Sequence, residues 1–232
     1  ASGVDHIAFL LGLMLVAGRM RKLLVAITGF TLGHSFTLSL AVLGWVKPEA
    51  RLVEAFIGLT IALVAADYVA TRNGQRNKLA LITATATIFL GLLAWWMGNI
   101  SIRGFISFLG LGLFAGCYLG IDTKHLSKKY QRNGLIGLVT IIFGLIHGFG
   151  FAGFLLETGL VSGNLALSLI GFNLGVEIGQ ILFLLGALFI FYIMKKIAQQ
   201  YVSKATDFYA PILIVGCLSG LGFFWFVERS LQ

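Results

Sequence analysis

Along the chain, long apolar runs alternate with short polar breaks. Eight runs stand out, at residues 3–18, 23–46, 52–70, 79–97, 102–120, 135–157, 165–193 and 208–227. A spanning α-helix needs about 20 apolar residues, each rising ~1.5 Å, to cross ~30 Å of hydrocarbon. The pattern therefore predicts an all-α fold, a polytopic integral membrane helical bundle with seven to eight transmembrane helices. Only residues 98–101 separate the fourth and fifth runs, so these two read as a tight helical hairpin. No Pro- or Ser-rich linker interrupts the chain, and residues 1–232 read as a single transmembrane domain.

Composition strengthens this picture. Hydrophobic residues make up 58 % and charged residues 11 % of the 232 residues. Soluble domains carry about 25 % charged residues. A globule of this chain would lack the polar atoms to cover itself, and its apolar content also excludes disorder. Net charge is +8 and the isoelectric point about 9.7. The basic residues sit between apolar runs rather than on one face, so nucleic acid is not an expected partner. They read instead as topogenic charge. Assigned to successive connections, the odd ones hold 13 Lys and Arg, and the even ones with the C-terminus hold 4. Cytoplasmic loops carry the excess of Lys and Arg, so both termini are expected outside. The two cysteines, Cys117 and Cys217, lie in different runs and form no recognisable pair. Trp95 and Trp96, near the outer end of the fourth run, read as interfacial anchors.

Few ionisable residues interrupt the runs. Such groups are costly in hydrocarbon and usually functional. Asp5 and His6 lie near the outer end of the first run, and Glu54 opens the third. His34, His147 and Glu177 lie about midway along the second, sixth and seventh. Asp67 is near the inner end of the third, about 220° around the helix from Glu54, so the two do not share a face. In the second run Thr28, Thr31, His34 and Ser35 form one stripe. In the seventh, Asn173, Glu177 and Gln180 do the same, while Gly171, Gly175 and Gly179 mark an opposite side suited to close packing. Glycines 144, 148, 150 and 153 surround His147 and permit close approach of a backbone or ligand. His125 sits among lysines and reads as a solvated loop residue, and Glu157 as outer-loop polarity.

Three histidines and three carboxylates in one half of a bundle suit a borderline transition metal such as Zn, Ni, Cu or Fe. The candidate ligands are His6, His34, His147, Asp5, Glu54 and Glu177, with Ser35, Asn173 and Gln180 around them. Structural alternatives stand beside each: a Glu177 carboxyl kept neutral by burial and bonded to neighbouring amides, a Glu54–Arg51 surface ion pair, or a histidine bonded to helix backbone.

The residues that carry this chemistry also carry a resemblance. The stretches GVDHIAFLL at 3–11, FTLGHSFTLSLA at 30–41, VEAFIGLTIA at 53–62, FGLIHGFGFA at 143–152 and FNLGVEIGQ at 172–180 resemble, in family order, the HupE/UreJ family. That family is associated with hydrogenase and urease gene clusters. Its members are described as nickel or cobalt permeases or accessory proteins. The resemblance implies divalent metal handling in a bacterial cytoplasmic membrane by Asp5, His6, His34, Glu54, His147, and Glu177 with Gln180. Against the family's five blocks, the runs between residues 79 and 120 look like an extra helical hairpin.

Three functions follow as expectations. The favoured one is a divalent transition-metal (Ni/Co-like) transporter or permease with an intramembrane His/carboxylate site. An alternative is an intramembrane zinc-type hydrolase acting on a lipid or lipoprotein, with Glu177 as general base. Confinement of the candidate ligands to one half of the membrane, with no inner-half polar path except Asp67, favours this alternative, because a transporter needs access to both sides. The third is an accessory membrane subunit or metal chaperone with an extracytoplasmic partner. Membrane lipids and the metal ion are partners in every case.

Overall fold

A computed structural model describes residues 3–121, 129–157, 165–201 and 205–232. All regular structure among them is helical. Eight helices follow one another: α1 (Gly3–Ala17), α2 (Met20–Val42), α3 (Ala50–Asn73), α4 (Arg76–Trp96), α5 (Ile102–Gly120), α6 (Lys129–Glu157), α7 (Leu165–Tyr201) and α8 (Ala205–Leu231). Seven of them, α2 to α8, contain stretches long and apolar enough to cross a membrane. The exception, α1, has 15 residues, a length of about 22 Å against a hydrocarbon core of ~30 Å.

The helix ends depart from the apolar runs for local reasons. Helix α2 stops at Val42, short of the run's end at 46, because Gly44 takes φ 74°, a left-handed conformation that terminates helices. Helix α7 continues to Tyr201, eight residues beyond its apolar run. An apolar run measures hydrocarbon thickness, whereas helical hydrogen bonding continues into polar surroundings.

Consecutive helices run up and down. Arg76, at the start of α4, donates to the carbonyls of Leu119 and Ile121 at the close of α5, at 3.2 and 3.0 Å. The α3–α4 turn and the end of α5 therefore share one end of the bundle. At the other end, Asn99 between α4 and α5 donates to the Leu231 carbonyl at the end of α8. Exposed Trp45, Trp95 and Trp96 cluster at this second end, in keeping with interfacial anchoring.

Three helix pairs carry most of the packing: α2 with α6, α3 with α8, and α4 with α5. Each relies on missing side chains. Association in lipid depends on close van der Waals approach, which small residues permit. A Cβ at Gly29 would stand 2.7 Å from the Gly137 carbonyl oxygen of α6, and one at Gly144 would stand 2.9 Å from the His34 nitrogen of α2. A Cβ at Gly58 would stand 2.8 Å from the Phe226 nitrogen, and one at Gly222 would stand 2.7 Å from the Ala62 nitrogen, which locks α3 to α8. The expected close packing of Gly171, Gly175 and Gly179 is not found among the described residues. Nothing lies within 4 Å of a Cβ built at any of them. Helix α7 turns its Asn173–Gln180 side toward α2, so the glycine side faces outward.

This packing predicts opposite results for two glycines of similar appearance. Gly144→Val should lower stability by about 2 kcal/mol or more, since backbone cannot yield as a side chain does. Gly175→Val should shift it by less than about 0.5 kcal/mol. Thermal unfolding of the purified proteins in one detergent compares them, and equal shifts would contradict the assignment.

Candidate metal centre

Three histidines meet inside the bundle. His6 of α1 sits between the other two: its ring centroid lies 5.5 Å from that of His34 on α2 and 4.8 Å from that of His147 on α6. All three are buried, with His147 fully so. The meeting depends on the α2–α6 contact, because glycines 144 and 148 rest on the backbone around His34. It depends also on α1, whose first turn is sunk in the bundle with Asp5 and His6 both buried. The depth expected for His6, above the midplane histidines, is thereby corrected: its ring is at their level.

The histidines are enclosed by aromatic rings. Phe151 stands 4.4 Å from His6, Phe9 4.8 Å from His147, and Phe30 5.1 Å from His147. Among the described residues, both ring nitrogens of His6 and Nδ1 of His147 have no hydrogen-bond partner in this apolar box, while His34 is approached by the Asn173 amide of α7. An unsatisfied buried polar group costs ~1–3 kcal/mol, so this arrangement works against stability unless the nitrogens serve a ligand. Unprotonated imidazole nitrogen is a good donor to Ni, Co or Zn. The residues thus suit a divalent transition metal by chemistry. The rings stand edge to face, at 89° and 88°. Among the described residues no set of three ligating side chains already has coordination geometry. Metal binding requires the rings to turn.

One ring is already oriented. The Thr60 hydroxyl donates to the Ile57 carbonyl at 2.7 Å and lies 2.8 Å from Nε2 of His147. A hydroxyl has one proton, so the network assigns the second proton to His147: Nε2–H donates to Thr60, and Nδ1 holds the lone pair. A partner fixing the non-ligating nitrogen in this way is a frequent companion of metal-bound histidine. Thr60, near the middle of α3, is absent from the residues proposed on sequence grounds. Threonine is common in membrane helices, and only the packing of α3 against α6 shows its use.

The carboxylates divide into separate groups. Asp5 and Glu54 share a cation from α8: Nη1 of Arg229 is 3.4 Å from Oδ2 of Asp5, and its Nε is 3.7 Å from Oε2 of Glu54. The expected Glu54–Arg51 pairing is not what this end of α3 shows. Arg229 also donates to the Glu54 carbonyl at 3.1 Å and lies over the Trp225 ring. Glu177 is half-buried on α7, and none of the contacts tying the histidines together reaches it. Its neighbours instead join α7 to α2: Ser35 donates to Asn173 at 2.8 Å, and Thr31 to Gln180 at 3.4 Å. His125 and the side chain of Glu157 lie outside the described residues.

The other end of the bundle holds a cavity of about 160 Å³, lined among others by Leu13, Asp67, Thr71, Arg76, Tyr118 and Phe143. Arg76 grips Asp67 at 2.7 Å and Thr71 at 2.8 Å, and Tyr118 bonds to Asp67. Phe143 forms the inner wall. It stacks edge-on against Phe9, 5.5 Å away, and Phe9 touches His147. An aromatic layer one ring pair thick separates the cavity from the histidines. Arg76, Thr71 and Tyr118 thus gather around Asp67, the one inner-half polar residue singled out from the sequence.

A helical membrane protein with a cluster of buried histidines between two charged ends is the class these features define. The sequence profile of the HupE / UreJ protein family matches residues 1–102 and 114–229. The chain belongs to this family, which supports a membrane role in metal handling, as accessory protein or permease. No curated protein and no solved structure matches the chain.

The tautomer assignment has a direct check. Thr60→Val keeps the shape but strands the His147 Nε2–H, and should lower stability by about 1–3 kcal/mol. Thr60→Ser, which restores the hydroxyl, should recover most of it. Unfolding in detergent measures both, and a valine variant as stable as the serine one would remove the bond from the account.

Proposed function

We propose that the protein is a permease for a divalent transition metal of the nickel or cobalt class. His6, His34 and His147 form its central binding site, and Asp5 and Glu54 attract the ion at the mouth. The observation that carries this reading is the meeting of three buried imidazoles from three helices in one aromatic box, with both nitrogens of His6 and Nδ1 of His147 unpartnered. The cavity beside Asp67 supports transport over chemistry on one side, because it offers the ion a polar space beyond the Phe9–Phe143 layer. The Lys and Arg distribution supports a cytoplasmic Asp67 end, and on this reading the ion enters at the Asp5–Glu54 end of a protein in a bacterial cytoplasmic membrane.

The metal is cargo here. Neutral imidazole binds it and protonated imidazole does not, so protons and metal compete for the site. Three histidines with an open position are also the ligand set of a zinc hydrolase. That reading takes Glu177, half-buried on the α7 face turned toward α2, as its general base. An extracytoplasmic partner that delivers the ion is compatible with the permease.

Purified protein in liposomes tests the proposal. Co²⁺ uptake should be saturable, and His6→Ala or His147→Ala should reduce uptake at low Co²⁺ by about 100-fold or more, beyond the 10–100-fold typical of a residue that only orients a ligand. Full uptake by either variant would refute the central site. Metal-dependent cleavage of a lipid without uptake would establish the hydrolase instead.

A further inference from the structure

Among the described membrane-crossing stretches, that of α7 is the least buried, yet it reaches the histidines at two points. Phe172 packs on Phe151 with ring centroids 5.8 Å apart, and Phe151 stands 4.4 Å from His6 and 5.6 Å from His34. Asn173, the next residue, lies beside His34 itself. Its amide is held in one orientation. Nδ2 donates to the Leu169 carbonyl, one turn back, at 3.0 Å, and Oδ1 accepts from the Ser35 hydroxyl at 2.8 Å. A carbonyl only accepts, so the Leu169 bond settles which end of the amide is nitrogen. The oxygen therefore faces α2.

We propose that Asn173 is a positioning residue for the histidine site: its amide oxygen receives the His34 N–H and so fixes which ring nitrogen of His34 keeps a lone pair for the metal. This rests on the permease reading above. A carbonyl oxygen has two lone pairs, and Ser35 uses one of them. A neutral imidazole has one N–H and one bare nitrogen. With the N–H given to α7, the bare nitrogen is left for the ion. Neither nitrogen of His34 has closed a hydrogen bond in the described arrangement. The bond to Oδ1 closes as the ring turns to take the ion.

The three histidines then fall into two kinds. His147 gives its proton to Thr60 of α3, and His34 gives its own to Asn173 of α7. Two rings are thus oriented from outside the aromatic box by uncharged oxygens. His6, between them, has neither nitrogen engaged and is the ring that adjusts. An amide oxygen orients a ring without adding a further charge to a buried site, where a charge is costly. Asn173 is also one of the two side chains of α7 that hydrogen-bond to α2, so orientation of His34 and seating of α7 share one group.

Equilibrium dialysis with Co²⁺ on the purified protein in detergent tests this. Asn173→Leu removes the oxygen and should weaken Co²⁺ binding by about 10–100-fold, the usual loss when the partner of a metal-binding histidine is deleted. Ser35→Ala breaks the same link between α2 and α7 but leaves the oxygen for His34, and should bind Co²⁺ as the wild type does. Equal losses in the two variants would reduce Asn173 to helix packing, and wild-type binding by a folded Asn173→Leu would also overturn its role. Either result leaves the permease reading standing, whereas Co²⁺ bound by no variant, wild type included, would overturn both. Nitrogen-15 spectra of the histidine-labelled proteins add a readout that packing alone would not move. The His34 signal, assigned by its loss in His34→Gln, should show one tautomer in the wild type and a mixture in Asn173→Leu. Should Asn173→Leu fail to fold, Asn173→Asp, which keeps an acceptor oxygen of the same reach, should retain the single tautomer, and a mixture there would refute the proposal.

Discussion

Helices α2 and α6 run side by side in the same direction and touch backbone to backbone, and the histidine cluster depends on that contact. Glycines 29, 33, 144 and 148 let the backbones approach closely, with the Thr37 and Thr140 hydroxyls filling the contact. In lipid there is little hydrophobic gain in bringing helices together, so close dispersion contact has to supply the attraction. The same closeness brings His34 and His147 within reach of one ring, that of His6. Larger residues at these glycines would separate the imidazoles before they altered any ligand.

Helix α3 connects this cluster to the two ends of the bundle. It presents Glu54 to Arg229, Thr60 to His147, and Asp67 to Arg76. The thirteen residues from Glu54 to Asp67 rise about 20 Å, so one rigid helix sets the depth of an outer charged group, a central site and an inner cavity. The outer contact is loose and the inner one tight. An aromatic layer of Phe9 and Phe143 closes the inner side of the histidines. Together these features set an outer charged group, the buried histidines and an inner cavity in succession along one helix.

Much of the fold was legible in the sequence because hydrocarbon imposes a simple rule: a spanning segment must be apolar and helical. Each of the eight runs corresponds to one helix. The three histidines were legible for a related reason, since ionisable residues within such runs need a purpose. What the sequence did not reveal was partnership. Arg229 is 224 residues from Asp5, and it was read only as a charge at the C-terminus. Its partner becomes predictable once Gly58 is known to seat against Phe226 of α8, because Glu54 and Arg229 then fall about one turn beyond that contact. Thr60 was passed over as ordinary, and the glycines of α7 suggested a packed face where the chain has an open one. Periodicity identifies which residues share a face, but not which neighbour that face meets.

The central claim is that imidazoles from α1, α2 and α6 take the metal between them. X-ray absorption at the cobalt K-edge of the Co²⁺-loaded protein addresses it directly. The account predicts a first shell containing about three imidazole nitrogens, with the outer-shell scattering that such rings produce, completed by oxygen. A shell of oxygen alone, without imidazole scattering, would place the ion among the carboxylates and contradict the account.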